Sequence, residues 1–317
     1  MNNTKRSIVK TAWWLMLPLA VWGTLLTDNT ASAGKKKTIL EHADFIEGGE
    51  TSGPSGAVIP YRSAVGNVRF LHGKTILECD RATDWLENER IDLNGHIVIR
   101  DNTLETRSDT GTYDTRREIG ELSGNVRGRV VEDSLTAKSV RATVDLTGDN
   151  LWLFGDAVVW QPGRQLSGDT IRVHLREIDG RKRADELEVR GHAFLATKDT
   201  LATSPLTYDQ LSARRLLARL DERSRLKNVT ATEKAQSLYH LYDEKQQPTG
   251  ANYTSGAKIR MFFVEGKLSR ILTTGNPLGK EYPNSMRESR EIDLPGFRLR
   301  DKERPVFEPH SDQKGQD

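Results

Sequence analysis

The stretch Arg90-Ile91-Asp92-Leu93-Asn94-Gly95-His96-Ile97-Val98-Ile99-Arg100 decides the fold. Ile91, Leu93, Ile97 and Ile99 share one parity with Gly95, and the positions between them are mostly polar. That period of two is the mark of a half-buried β-strand. The alternation returns in Leu122, Gly124, Val126, Gly128 and Val130, and again in Leu151, Leu153, Gly155, Ala157 and Val159. A glycine falls on the apolar face each time, where a missing side chain permits a bend or a close approach of backbone.

Working outward, a glycine, a short polar residue and an apolar one recur as Gly66-Asn67-Val68, Gly95-His96-Ile97, Gly124-Asn125-Val126, Gly155-Asp156-Ala157 and Gly191-His192-Ala193. The glycines are 29, 29, 31 and 36 residues apart, so the chain is an internal repeat. A second line of apolar pairs holds a spacing of nine: Ile76 and Trp85, Leu104 and Tyr113, Leu135 and Val144, Leu166 and Leu175, Leu211 and Leu220, Tyr253 and Phe262. Nine is odd, so the two ends of a pair cannot share one face of a regular strand. A bulge, or a strand crossing between two sheets, reconciles them. Each unit is then two strands, and stacking the units builds an elongated, twisted pair of sheets with an open edge strand at each end.

The expected class is all-β throughout. Residues 212–226 are rich in Ala, Leu and Arg and read as helix on propensity alone, but the repeat register places Leu211 and Leu220 on a strand. The register is preferred. Four segments follow: a signal peptide at 1–33, a first strand and Gly/Ser/Pro loop (48–56) within 34–63, the repeats at 64–281, and a disordered charged tail at 282–317. The end strands are placed near 39–46 and 259–271, neither of which holds a proline.

The signal is read from Lys5, Arg6 and Lys10, an apolar run over 12–26, and Ala31-Ser32-Ala33, with cleavage before Gly34. The run is short for a membrane span and contains Pro18; an uncleaved inner-membrane anchor over 12–26 is the alternative. The whole chain has 47 Lys+Arg and 45 Asp+Glu, and cleavage removes three basic residues and Asp28, leaving 44 of each. A neutral chain without a basic stripe disfavours nucleic acid as a partner. Cys79 is the only cysteine, which excludes an internal disulfide and a cysteine metal site. An exported chain of this size without disulfides fits the bacterial periplasm.

Catalytic patterns are missing. The seven histidines form no H-E-x-x-H pair, there is no G-x-S-x-G elbow, and Gly73-Lys74-Thr75 lacks the upstream glycine of a phosphate loop. His96 and His192 share one outward repeat position and read as solvated strand residues. No catalytic residue, metal ligand or cofactor site is expected.

With the signal and the two-strand repeat in hand, the chain resembles the OstA/LptA family of lipopolysaccharide-transport proteins over about 39–283. The matching pieces are His42-Ala43-Asp44, Gly66-Asn67-Val68-Arg69-Phe70, Cys79-Asp80-Arg81-Ala82, Gly124-Asn125-Val126 and Gly275-Asn276-Pro277-Leu278-Gly279. The resemblance implies an open β-jellyroll whose interior holds the acyl chains of lipid A. It also implies that copies or related bridge proteins join edge to edge across the periplasm, by self-association or with other transport proteins. The chain is longer than the simplest bridge proteins, and its 195–253 region is irregular.

On this reading the inner-face residues Val68, Phe70, Leu93, Ile97, Ile99, Leu122, Val126, Leu153 and Val159 face lipid, and no enzyme activity is expected. Each methylene taken from water is worth about 0.8 kcal/mol, so such a trough needs no polar chemistry. The competing readings are a dry core, an exported structural β-solenoid, and a carbohydrate-binding β-helix. Trp85, Trp152 and Trp160 are scattered over different units, which counts against a sugar-stacking groove.

Overall fold

The computed structural model describes residues 38–307, apart from positions 54–55, 73, 87, 102–103, 115, 131–133, 146, 179–180, 203, 205–206 and 266. The expected signal segment lies outside the described residues. Among the described residues sixteen strands follow one another, first β1 (Thr38–His42), β2 (Phe45–Ser52), β3 (Val58–His72) and β4 (Thr75–Trp85). The regular repeats supply β5 (Arg90–Arg100), β6 (Leu104–Asp114), β7 (Ile119–Val130), β8 (Leu135–Asp145) and β9 (Asn150–Gln161). Longer strands come next: β10 (Arg164–Ile178), β11 (Arg181–Lys198), β12 (Tyr208–Leu220), β13 (Leu226–Tyr242) and β14 (Pro248–Val264). The chain closes with β15 (Lys267–Thr274) and β16 (Leu278–Pro283). Residues 212–220, helical by propensity, lie in β12: pairing on both sides overrides local preference.

All sixteen strands form one open antiparallel sheet in sequence order, with β1 and β2 both on β3 and β15 and β16 both on β14. The terminal arms are therefore split in two, at Ala43-Asp44 and at Gly275-Asn276-Pro277. Each long strand between them breaks register at the corresponding place: Val65/Val68, Asn94/Ile97, Ser123/Val126 and Arg190/Ala193 are examples. These breaks align into one corner line, along which the sheet folds into two facing walls. Val130 and Leu135 of the first wall line the same cleft as Val144 and Leu151 of the second.

Backbone conformation explains the repeat signature. Gly95 has φ +74° and His96 has φ +46°, and the same left-handed pair occurs at Gly66-Asn67, Gly124-Asn125, Gly155-Asp156, Gly191-His192 and Gly275-Asn276. Glycine takes this region freely, and Asn, Asp and His enter it more readily than other residues. A Cβ on Gly95 would lie 2.0 Å from the Asp80 carboxylate. The glycine is required both by its φ and by its neighbour.

The nine-residue spacing is reconciled by these corner breaks, as expected, but the six pairs do not all face one way. Leu104 and Tyr113, Leu135 and Val144, Leu166 and Leu175, and Leu211 and Leu220 belong to or pack on the main core. Ile76 and Trp85 stand outside it, and Tyr253 packs in a second cluster. In β4 the core positions are Leu77, Cys79 and Ala82, one residue out of step with that pair.

Three expected boundaries change. Residues 48–52 of the expected Gly/Ser/Pro loop are strand, since β2 pairs with the start of β3 from Ser52 and Val58 to Phe45 and Val65. At the other end, Ile259 is a fully buried residue inside β14, and the edge is β15 with β16. The tail expected to be disordered is ordered from 284 to 307; 308–317 lie outside the described residues. Its Ile292, Leu294, Phe297 and Leu299 pack with Phe194, Ala196, Leu238 and Ala251 in a cluster separate from the main core. The tail has no period of its own because it has no partner strand. It borrows order from the outer surface of the first wall, which is why charge and proline content misread it.

Candidate lipid-facing interior and its surroundings

The nine candidate lipid-facing residues come together. Val68, Phe70, Ile97, Ile99, Val126 and Val159 lie on the first wall, and Leu93, Leu122 and Leu153 lie on the second; all belong to one buried cluster. Their exposures run from 1% to 5%, so in this state they touch one another rather than an open channel. The space beside Ile99, Leu122, Val126 and Leu153 is about 50 Å³. A second apolar space of about 50 Å³ lies farther along, between Val159, Leu166 and Leu195 on one side and Leu187, Leu216 and Val229 on the other. An apolar cavity that admits benzene measures about 150 Å³. An acyl chain therefore enters the β4–β9 region only if the walls move apart.

Space is larger at the C-terminal end. A cavity of about 500 Å³ is bounded by Leu195, Leu211, Tyr239, Met261, Phe263 and Leu268, with Arg164 and Lys198 also on its surface. Asp199, Asp209 and His240 border it but are already engaged. Arg287 donates to Asp199 at 2.6 Å, the Tyr242 hydroxyl donates to the same carboxylate at 2.5 Å, and Arg287 also meets Tyr242. Burial, reinforced by Asp199, pushes the Tyr242 hydroxyl up to about 12. Asp209 accepts from the His240 backbone N–H and sits 2.9 Å from its Nδ1; burial raises its pKa, and the bonds from His240 oppose that rise.

The C-terminal strap, residues 284–307, crosses the strands from β13 back to β6. The His240 Nε2 lies 3.1 Å from the Arg287 carbonyl. Gln210 donates to Asp293 and accepts from the Leu294 N–H, while Gln165 donates to the Arg298 carbonyl and accepts from the Arg300 N–H. Arg300 then grips both oxygens of Asp156 at 2.6 and 2.7 Å. Beyond it, Arg304 reaches Thr136, and Phe307 lies under the guanidinium groups of Arg107 and Arg129. Hydrogen bonds from Arg300 above all, with Lys138 and Arg298, hold the Glu303 carboxyl down at about 2.

The outer corner line is a ladder of exposed polar contacts. Asp80 meets His96 at 2.8 Å, Asp109 accepts from Asn125 at 2.8 Å, and Asp169 meets His192 at 3.0 Å. The His96 and His192 side chains are each 90% exposed, as read from their outward position. Reading the sequence missed the facing half of this ladder, although its signal is there: a small residue followed by Asp in Ala43-Asp44, Cys79-Asp80, Ser108-Asp109 and Gly168-Asp169. At the fourth corner Val140 replaces the aspartate, and Asp156 turns to Arg300 of the strap instead. The three tryptophans are equally dispersed in space: Trp85 donates to Asp92, Trp152 stacks on Phe154, and Trp160 is buried between the strap anchors Gln165 and Thr136.

Residues 35–155, rather more than a third of the chain, match the family model described as OstA-like protein. Over this stretch the chain is similar to OstA-like proteins. The match ends inside β9, so the longer strands and the strap lie beyond it. No curated protein matches the chain. Among solved structures, the crystal structure of LptH, described as the LptA homologous periplasmic component of the conserved lipopolysaccharide transport device from Pseudomonas aeruginosa, is similar at 15% identity. That likeness has a TM-score of 0.34 and covers 45% of this chain and 84% of the other. No helix among the described residues is long and apolar enough to cross a membrane.

Proposed function

We propose that this OstA-like protein is a non-enzymatic periplasmic carrier in lipopolysaccharide transport. It takes lipid A acyl chains between its two walls and forms one element of a bridge toward the outer membrane. The observation that carries the reading is the continuity of the interior. A single apolar cluster runs from Val68 in β3 to Met261 in β14, with an unpaired sheet edge at each end. Only small hydroxyl residues such as Thr106, Ser108 and Ser139 punctuate that face, so a chain sliding along it would mostly exchange one apolar contact for another at little cost.

The edges support assembly. Ile39, Phe45 and Ile46 on β1 and β2 are 47%, 53% and 58% exposed, unusual for large apolar side chains on an edge. A second sheet adding there would continue the ladder and cover them. Residues 48–52 are themselves edge strand, and the described part of the strap, 284–307, turns inward across β13.

A photo-crosslinking residue at Ile97 or Val126 is expected to capture lipopolysaccharide in cells, while one at exposed His96 captures none. Capture at both sites alike, or at neither, overturns the reading in favour of a dry structural solenoid. The close burial of the nine residues is the observation that favours that second reading.

A further inference from the structure

The C-terminal cavity contains a charge arrangement that the rest of the interior lacks. Arg164 opens β10 on the same parity as Leu166, which packs on the main core. Its side chain borders both the 500 Å³ cavity and the apolar groove formed by Leu166, Leu187, Leu195 and Leu216. It is half-buried, and burial alone pulls its pKa down, with no acid acting to raise it. Among the described residues it has no ion-pair or hydrogen-bond partner for its side chain. Arg164 pairs across the ladder with Thr197, and the next residue, Lys198, donates its N–H to Gly163. Two cations without ion-pair partners thus flank this strand end, Arg164 on the inner face and the exposed Lys198 on the outward parity of Phe194 and Ala196. The nearby acids cannot serve them, since Asp199 is held by Arg287 and Tyr242 and Asp209 by His240.

A guanidinium placed against apolar surface without a counter-charge is unfavourable in the empty protein. It becomes favourable if an anion arrives with an apolar body to fill the adjoining space. Guanidinium also matches phosphate and carboxylate oxygens in two-point geometry, which an ammonium does not. We propose that Arg164 is the anchor for the anionic head of an amphiphile whose chain lies in the C-terminal cavity and runs into the groove between the walls. This rests on the reading of the interior as a lipid site and adds to it a polarity: head at the β10–β11 rim, chain inward. It also names the property selected, a negative head rather than a sugar or a zwitterion.

The test uses the full exported chain and three probes below their micelle concentrations: dodecyl phosphate, dodecyl maltoside and inorganic phosphate. Titration calorimetry is expected to give dodecyl phosphate at least about tenfold tighter binding than dodecyl maltoside, a difference worth about 1.4 kcal/mol. Arg164→Gln should bring dodecyl phosphate down to the level of the maltoside and leave the maltoside unchanged, while Arg164→Lys keeps part of the preference. Inorganic phosphate should neither bind measurably nor compete at millimolar concentration. Arg164→Met supplies a second readout, because removing an unpaired cation from apolar surroundings should raise the melting temperature of the ligand-free protein by about 2 °C or more.

If both amphiphiles bind and Arg164→Gln leaves their ratio intact, the anchor is wrong while the lipid interior stands. If neither binds, both fall. Competition by inorganic phosphate alone replaces the amphiphile site with a simple anion site and overturns the proposal. A lowered melting temperature in Arg164→Met assigns Arg164 a structural role and overturns it as well.

Discussion

The β4–β9 arms and the β10–β14 arms are built from one repeat but end differently. The first are 11 or 12 residues long and meet across a filled interior with a void of about 50 Å³. The second run to 13, 15, 17 and 18 residues, border a cavity of about 500 Å³, and carry the apolar first part of the strap, whose end continues over β9 to β6. Regular arms let every inner side chain find a partner on the facing wall, and that closes the interior. Irregular arms leave space, and the buried Arg287–Asp199 pair stands beside it, whereas the regular half buries Glu105 against Arg107 and Arg129 away from its interior cleft. The difference separates a region specialised for repetition from one equipped to discriminate.

The largest way to break the comparison is at Arg287. Its side chain is 3% exposed and holds Asp199, which is 6% exposed. Arg287→Ala leaves a buried carboxylate without its counter-charge, a loss of about 3–5 kcal/mol. Urea unfolding should register it, with hydrogen exchange rising first in the strap and β13. In the regular half, Arg90 pairs with Asp92 while 54% exposed, and Arg90→Ala should cost under about 1 kcal/mol. Equal effects at the two sites would remove the distinction between the halves.

The corner glycines come next. Gly95→Ala forces a left-handed alanine, at about 1–2 kcal/mol, and drives its Cβ into the Asp80 side chain. A total near 2–3 kcal/mol is expected from chemical denaturation. The double variant Gly95→Ala/Asp80→Ala should recover under about 1 kcal/mol of it, because the carboxylate clash is relieved while the Cβ of residue 80 still lies 2.9 Å from the added methyl. Full recovery would mean that the backbone conformation carries no cost.

The strap gives a pH test with a definite sign. Glu303 is held at about 2 in the folded protein against an ordinary 4.5, so the folded state favours its charged form. Its contribution is therefore complete above about 4.5 and is lost as pH falls toward 2. Hydrogen exchange in 290–307 should accelerate across that window by more than exchange in β5–β7 does. Glu303→Gln should flatten the difference, and an unchanged profile in that variant would assign the acid response to other carboxylates.

What the sequence made legible follows this same division. Period-two alternation and recurrent Gly-Asn, Gly-His and Gly-Asp pairs announce strands and corners because each is a local backbone requirement written at a fixed place. The β12 assignment succeeded for the same reason, through Leu211 and Leu220, against a helical composition. The strap was not legible, since Ile292 and Leu294 are ordered by Phe194 and Leu238, up to 100 residues away, and no local period reports such a partner. The nine interior residues were brought together as expected, but alternation gives only a face. Whether that face meets lipid or its own facing wall is decided by packing that a strand pattern does not encode.

The smallest expected effect sharpens the comparison at the one interior corner that has lost its glycine. Glu233 and Lys234 take the places of Gly95 and His96, with φ of +65° and +56°. Both lie in the region that costs an ordinary L-residue about 1–2 kcal/mol. Glu233 offers little in return, since its contact with Arg214 is 4.0 Å long and both side chains are 65% exposed. Glu233→Gly removes the backbone cost but loosens the unfolded chain, which offsets about 0.5–1 kcal/mol of the gain. A net stabilisation of about 0.5–1 kcal/mol is expected in urea, with the m-value unchanged. Glu233→Ala is the control: it removes the same carboxylate but keeps the left-handed cost, so it should stay within about 0.5 kcal/mol of the parent. If alanine stabilises as much as glycine, the gain comes from the lost charge, and the corner imposes no glycine requirement in this half of the molecule.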